Sequence, residues 1–343
     1  MSGLPTITVG YRWVTSRPGE AAYAAFAALP GLLYAAQSPR MRLGFDPAAE
    51  CLVSCNTLLR GDAPVGRFAL YENHQLRYQN APVACVGSYE CVNDPTVAYA
   101  LLARAKNLAL RLGHTYLIGP MEGSTWATYR FNLDSQAPSL VTPTHHAYYP
   151  DQWRAAGFAP IAHYVSNLDL TPAYDAARLQ KFRRVFREKG ATLRRLTAEN
   201  LEGQLGRIGA FCNAAFADNF LFTPQTPVAF AAQYRAVAPL LDQGVSWTVE
   251  DHNGQLQALF FGIPDLACIT ERRLIIKTIA TRPGSPFRGM ASYLVVEAYA
   301  YALAHGYTSL LHAYMHTGNA SINSSGKYTV QEHQRHVLLG GAL

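Results

Sequence analysis

Residues 281–294 read TRPGSPFRGMASYL and lie between an apolar strand-like run and an apolar helix-like run. Gly284 and Gly289 have the G-x-x-x-x-G spacing of a phosphate-binding loop. Met290-Ala291 stands where a Lys-Ser/Thr pair would reach terminal phosphates and a metal, so triphosphate hydrolysis is not expected. A diphosphate bound without metal needs only open N–H groups at a helix start, the positive end of the helix dipole, and small residues that let the backbone approach. Arg288, Gly289, Met290 and Ala291 meet those needs. Downstream, LLHAYMH carries His312, Tyr314 and His316. Alternation in a strand predicts that all three project from one face, where an imidazole can take a proton and a phenol can return one.

Three other stretches carry candidate chemistry. GPMEGSTWATYRF combines a Gly-Pro turn and small polar residues with Trp126, Tyr129 and Arg130, which makes it a candidate wall of a substrate site. Glu250 and Asp251 adjoin a predicted hairpin turn at Asn253-Gly254 and read as solvated turn residues before they read as bases. The run RLQKFRRVFREKGATLRR, residues 178–195, holds eight basic residues and one acid, an excess of seven against a net charge of +6 for the chain. The remainder is therefore about neutral, and the run is either a solvated helix face or a site for a polyanion such as RNA or a nucleotide phosphate. The six cysteines show no zinc spacing, so buried free thiols and no metal are expected.

These residues need a scaffold. A chain of 343 residues exceeds the usual span of one hydrophobic core, so two domains are expected, 1–171 and 172–343, joined near Thr171-Pro172. The absence of a long uninterrupted apolar run and of a signal-like N-terminus argues for a cytoplasmic protein without a membrane partner. The halves repeat in order. The first reads as an apolar helix, strands around ECLVSCNTLL, VGRFALYENHQLRYQN and VACVGSYECV, a helix from Val97 to Leu112 stopped by Gly113, and the strand TYLIGPM. The second reads as helices, the hairpin VSWTVEDHNGQLQALFFG, the strand RLIIKTIAT, a helix from Ala291 to His305 stopped by Gly306, and the strand TSLLHAYMH.

The strand LIIKTIATRP, the loop PFRGMA, the helix SYLVVEAYAYALAHGY, the strand TSLLHAYMH and the following TGNASI resemble the cofactor-binding core of the GNAT acyltransferases. Arg288, Gly289 and Ala291 match the last turns of that family's Q/R-x-x-G-x-G/A signature, with Pro286 where Gln or Arg is usual, and Asn319 and Ser321 resemble the Asn and Ser of its later helix. FAALPGLLY, VGRFALYEN, the long stretch from YECVNDPT to STW, and YYPDQWRAAGF resemble the N-terminal half of tandem members. The resemblance implies an α/β fold of two tandem GNAT-like domains, each a twisted, mostly antiparallel sheet flanked by helices. It implies transfer of an acyl group from acetyl-CoA or another acyl-coenzyme A to a small amine or amino-acid-like acceptor by direct attack. Ile276, Thr278, Ile279 and Ala280 would then face the pantetheine arm, and Tyr328, late for the family's Tyr acid, is the candidate donor to the thiolate. NDPT in the first half has no R-G-x-A, and Asp94 there would repel a diphosphate, so that half is a degenerate copy and one cofactor per chain is expected. Two alternatives remain: a Fem-type aminoacyltransferase using aminoacyl-tRNA, which the basic run suits, and a non-catalytic coenzyme A-binding module.

Overall fold

The computed structural model describes residues 10–34, 51–134, 139–142, 144–241, 245–319 and 321–343, apart from the side chains of residues 323 and 324. In chain order, the first half comprises β1 (Tyr11–Ser16), α1 (Tyr23–Leu33), β2 (Leu52–Arg60), β3 (Ala63–Tyr71), the small hairpin β4 (Arg77–Tyr78) and β5 (Ala81–Pro82), β6 (Ala84–Cys91), α2 (Pro95–Arg111), β7 (Tyr116–Gly119), β8 (Phe131–Asn132), α3 (Tyr149–Ala155) and β9 (Ala159–Asp169). The second comprises α4 (Ala176–Glu188), β10 (Thr192–Arg195), α5 (Ala198–Leu201), α6 (Leu205–Ala215), α7 (Pro227–Arg235), α8 (Ala238–Leu241), β11 (Val245–Glu250), β12 (Leu256–Pro264), β13 (Arg273–Thr281), α9 (Met290–Ala304), β14 (Ser309–His316), α10 (Ser321–Ser325) and β15 (Val330–Ala342).

Local sequence accounts for the two crossover helices. Asp94 caps α2, Pro95 presets its first turn, and Val97, Ala98, Leu101, Leu102, Ala105 and Ala109 recur at helical spacing to bury one face. Gly113, at φ +85°, ends it. By contrast, α9 is apolar nearly all round, because it is covered twice. Its inner face packs on the sheet through Leu294 and Ala298, and Phe182 and Phe186 of α4 lie against Tyr293 on its other side. Burying each such large side chain stabilises the fold by roughly 1.5–3 kcal/mol.

Both crossovers join parallel strands, β6 to β7 and β13 to β14, and nearly every other pairing is antiparallel. The mixed, mostly antiparallel sheet is thus the expected one, but the half-sheets are continuous. The strand order is β1-β2-β3-β6-β7-β15-β9-β14-β13-β12-β11-β10, with β8 on the side of β15. The closing strand of each half lies against the other half. Strand β9 pairs with β14 through Leu310↔Asp169 and Leu311↔Leu168, β15 pairs with β7 through Leu339↔Gly119, and β9 and β15 pair with each other along the centre. The sequence boundary at 171/172 falls between β9 and α4, and these three pairings all cross it. No described helix is long and apolar enough to cross a membrane.

Candidate active site

Strands β13 and β14 run in register from Arg273↔Ser309 to Ile276↔His312, and their pairing stops there. A bulge lies on each strand at that level. On β13, Gly262↔Ile276 is followed by Phe261↔Thr278, which leaves Lys277 as the extra residue. On β14, pairing with β9 jumps from His312↔Asn167 to Met315↔Val165, and Tyr314 takes φ +54°. The strands part at the bulges, and residues 277–280 have no strand partner on the side facing β14. Lys277, Thr278 and Ile279 are partly exposed there. The Tyr314 amide is engaged, since its N–H donates to the Ser166 Oγ at 3.4 Å.

The bulge on β14 corrects the expectation that His312, Tyr314 and His316 share a face. His312 turns toward α9. Its Nε2 is 2.9 Å from the Tyr299 hydroxyl, which gives its own proton to Asp169 Oδ2 at 2.9 Å, so the imidazole is the donor in this pair. Burial pushes the His312 pKa down to about 4, which keeps the ring neutral. Tyr328 stacks on Tyr299 with ring centroids 4.3 Å apart and meets the His312 ring edge-on at 5.8 Å. Its phenol is pushed up to about 12 by burial, against the charge of Arg178. Tyr314 turns to the opposite face, where the Arg130 guanidinium carbon sits 3.6 Å from its ring centroid and the His336 ring 5.1 Å away. Burial raises its pKa to about 12. His316 lies with Tyr164 and Phe220, and its Nδ1 accepts the Gly318 N–H at 3.0 Å. Its neutral form therefore carries the proton on Nε2, and desolvation, then His163, lower its pKa. One bulge thus sends His312 to the Tyr328 side of the sheet and Tyr314 to the Arg130 side.

The loop before α9 is built as an open helix start. Gly289, at φ +85°, is the N-cap residue and no side chain caps the helix; the Met290 N–H donates to the Phe287 carbonyl at 3.1 Å, which leaves the Ala291 and Ser292 amides as the open ones of the first turn. A side chain at Gly289 would be strained by that backbone conformation although space surrounds it. Arg288 is exposed and makes no ion pair among the described residues. Asn319 and Ser321 are exposed at the far end of β14, where the Asn319 carbonyl accepts from the Ile322 N–H and opens α10. The corresponding places in the first half are closed. Asp94 Oδ1 accepts from the Thr96 and Val97 amides at 2.9 and 3.4 Å, and Arg60 holds the other carboxylate oxygen. The β6–β7 register stops at Cys85↔Ile118, but there the Val86 carbonyl takes the Met121 N–H at 2.7 Å. A Cβ on Gly87 would lie 2.6 Å from Glu122 Cγ and 2.9 Å from the Met121 carbonyl oxygen, so the chain itself fills that gap.

Of the segment GPMEGSTWATYRF, the structure brings Tyr129 and Arg130 to Tyr314 and leaves Trp126 apart. The Trp126 indole N–H donates to the Thr223 carbonyl at 2.9 Å and its ring packs edge-on against Phe216, Phe222 and Phe230, so packing against α6 and α7 accounts for it. Sequence reasoning passed over Lys277. A lysine inside the apolar run RLIIKTIAT was the available signal, because a charge in the middle of a buried strand is rare without a reason. Three of the eight basic residues of the run are hydrogen-bonded within the fold through their side chains. Arg183 forms a two-bonded pair with Glu297 of α9, Arg194 and Arg207 both bond Glu250, and Arg195 reaches the Tyr301 hydroxyl. Glu250 is therefore buried in a paired site: burial works to raise its pKa, and the two arginines overcome it. Asp251 closes the hairpin turn by accepting from the Asn253 and Gln255 amides. Among the described residues no cluster of three or more His, Cys, Asp or Glu side chains has metal-holding geometry.

Neither a protein-family model nor a curated protein matches the chain. Solved structures do. The chain is similar to a tandem GNAT protein from the clavulanic acid biosynthesis pathway at TM-score 0.55 and 12% identity, over 97% of this chain and 98% of that one. It is similar to an N-acetyltransferase from Sphaerobacter thermophilus at TM-score 0.52 and 10% identity, over 98% and 97%. It also matches the glucosamine N-acetyltransferase region of a fungal multi-domain beta-N-acetylglucosaminidase at TM-score 0.58 and 11% identity, over 96% of this chain and 38% of that one. Two parallel crossovers, one of them ending in an open strand edge and an uncapped helix, now stand beside these matches: the chain has the fold of the GNAT acetyltransferases in its tandem form.

Proposed function

We propose that the protein is an acyl-coenzyme A-dependent N-acyltransferase, with acetyl-CoA as the expected donor and one donor site per chain, in the second half. The observation that carries this reading is the pairing of an uncapped α9 start with a parted β13–β14 edge, when both features are closed in the first half. The residues fit the donor. Arg288 by charge, and the loop Gly289-Met290-Ala291 through the amides of Gly289 and Ala291, would hold its diphosphate, the Met290 N–H being taken by the Phe287 carbonyl. The free edge from Ile276 through Thr278 and Ile279 to Ala280 would pair with the amides of its pantetheine arm, and Asn319 and Ser321 would flank it.

Transfer to an amine forms one C–N bond and breaks one C–S bond. A backbone N–H at the parted edge would stabilise the oxyanion, and it comes from a residue other than Tyr314, whose amide is engaged. An amine acceptor of pKa about 10.4 arrives protonated and must lose a proton. On the Tyr314 side, His316 is neutral and partly exposed, and serves as the base through water. On the His312 side, the Tyr299 hydroxyl is already committed to Asp169, which leaves Tyr328, stacked on it, as the phenol assigned to the departing thiolate. The first half then acts as a wall of the acceptor site through Tyr129 and Arg130. The basic helix α4 is read as a solvated face, with Arg183 held by Glu297 and Lys181, Arg184 and Arg187 in water, while Arg194 and Arg195 of the following β10 have partners in the fold. That disfavours an aminoacyl-tRNA donor.

Calorimetry with acetyl-CoA tests the reading. The expected result is saturable binding at one equivalent per chain, a raised melting temperature, and loss of both in Gly289→Glu, which sets a carboxylate against the diphosphate. A wild-type protein indifferent to acetyl-CoA would sink the reading, and two equivalents would mean that the first half binds as well.

A further inference from the structure

Three arginines among the described residues are more than nine-tenths buried: Arg67, Arg130 and Arg273. Arg67 faces Glu90 and donates to the Phe26 carbonyl, and Arg273 faces Asp265 and Glu271. Arg130 faces no carboxylate among the described residues. Its guanidinium lies among the rings of Tyr129, Tyr164 and Tyr314, at 4.2, 5.1 and 3.6 Å, and its Nε and Nη1 have no hydrogen-bond partner. The Tyr314 hydroxyl and His336 Nδ1 beside it are also unpartnered. Nearby stands a second cation. Lys277, the bulged residue just past the last β13–β14 pair, makes no ion pair among the described residues, and desolvation, then the charge of Arg130, lowers its pKa. Two like charges withdrawn from water destabilise the fold unless an anion joins them, and aromatic faces do not satisfy N–H groups.

We propose that Arg130 and Lys277 form an anion subsite on the Tyr314 side of the β13–β14 opening, and that the acceptor amine carries a carboxylate held there. The inference rests on the acyl-transfer reading and narrows its acceptor. The planar guanidinium is fixed by three rings, and its Nη2, for which no hydrogen bond is seen among the described residues, pairs with the unpartnered Nε or Nη1 beside it as a fork for the two oxygens of a carboxylate, while the ammonium supplies the second charge. Solvent reaches the place, because Tyr129, Tyr314, Lys277 and Thr278 are all partly exposed. An acceptor so anchored would have its amine directed at the opening from the side opposite Tyr328.

The test uses the full chain and pairs of probes: free amino acids and their carboxamides, which keep the amine and lose the carboxylate. Melting temperature and thiol release from acetyl-CoA are followed for each pair, with coenzyme A binding measured separately by calorimetry. Free amino acids are expected to raise the melting temperature and their amides not to. Arg130→Gln and Lys277→Met should each abolish the shift and raise KM for the carboxylate acceptor by about 30-fold or more, with coenzyme A affinity kept. If Arg130→Gln does not fold, the partly exposed Lys277 carries the test alone. Amides that match the free acids in the wild type, or variants that keep the preference, overturn the subsite. Coenzyme A binding with indifference to carboxylate removes the subsite alone, whereas carboxylate stabilisation without coenzyme A binding removes acyl transfer and leaves the subsite.

Discussion

His312 gives up its charge to sit where it does. Its imidazole donates to Tyr299, which donates to Asp169, and burial holds the folded-state pKa near 4 against an ordinary 6.5. The unfolded chain therefore takes up a proton on this side chain as pH falls below 6.5, when the folded chain does not. Stability is fully present above pH 6.5 and is lost progressively down to about pH 4, at roughly 1.4 kcal/mol per pH unit, or about 3 kcal/mol in all. Chemical denaturation at pH 7 and pH 4.5 should record this loss in the wild type and a smaller one in His312→Gln. Equal losses in the two would mean that the acid sensitivity lies elsewhere, His336 with its pKa near 3 being the next group to examine. At this scale the sequence was informative where backbone geometry depends on neighbours in the chain, as in the helix start at Gly289 without a side-chain cap. It was silent on Arg130 as an unpartnered cation, because the lack of a carboxylate is a fact about three dimensions.

Helix α4 shows how an element can hide its charges. Leu179 and Phe186 are buried and Arg183 reaches back to Glu297, so the excess positive charge left to solvent comes from residues such as Lys181, Arg184 and Arg187. Changing Arg184 and Arg187 together to Gln should alter stability by less than about 0.5 kcal/mol, and Arg183→Gln should cost no more than about 1 kcal/mol, since its side chain is nearly half exposed. Filter binding should find tRNA held weakly and without specificity at physiological salt. Tight binding that falls steeply with salt and vanishes in the Arg183, Arg184 and Arg187→Gln triple variant would instead support the aminoacyl-tRNA donor. Helix ends were legible, since Asp94, Pro95, Gly113 and Gly306 punctuate them by known backbone rules. The bulges were not. Alternation predicted one face for His312, Tyr314 and His316, but a tyrosine at positive φ leaves no mark in composition, and one extra residue reverses the facing of all that follow.

Across the whole molecule, the two halves are joined by their closing strands, with β9 against β14 and β15 against β7. The repeat of order was readable from the chain, whereas β15 and the exchange were not, because long-range pairing is chosen by packing and not by local pattern. A single unfolding transition is expected by calorimetry and circular dichroism. A fragment of residues 1–171 lacks the strand that covers β7, and removal of residues 329–343 should likewise cost both halves their cooperative melt. A 1–171 fragment that melts like the intact chain would show that the exchange is dispensable. The same exchange bears on why a half with a capped α2 and a filled β6–β7 gap persists at all. Deleting that copy would strip β14 of its outer neighbour and leave β15 without β9 and β7, so selection acting only on the second half's chemistry retains the first as a matter of fold.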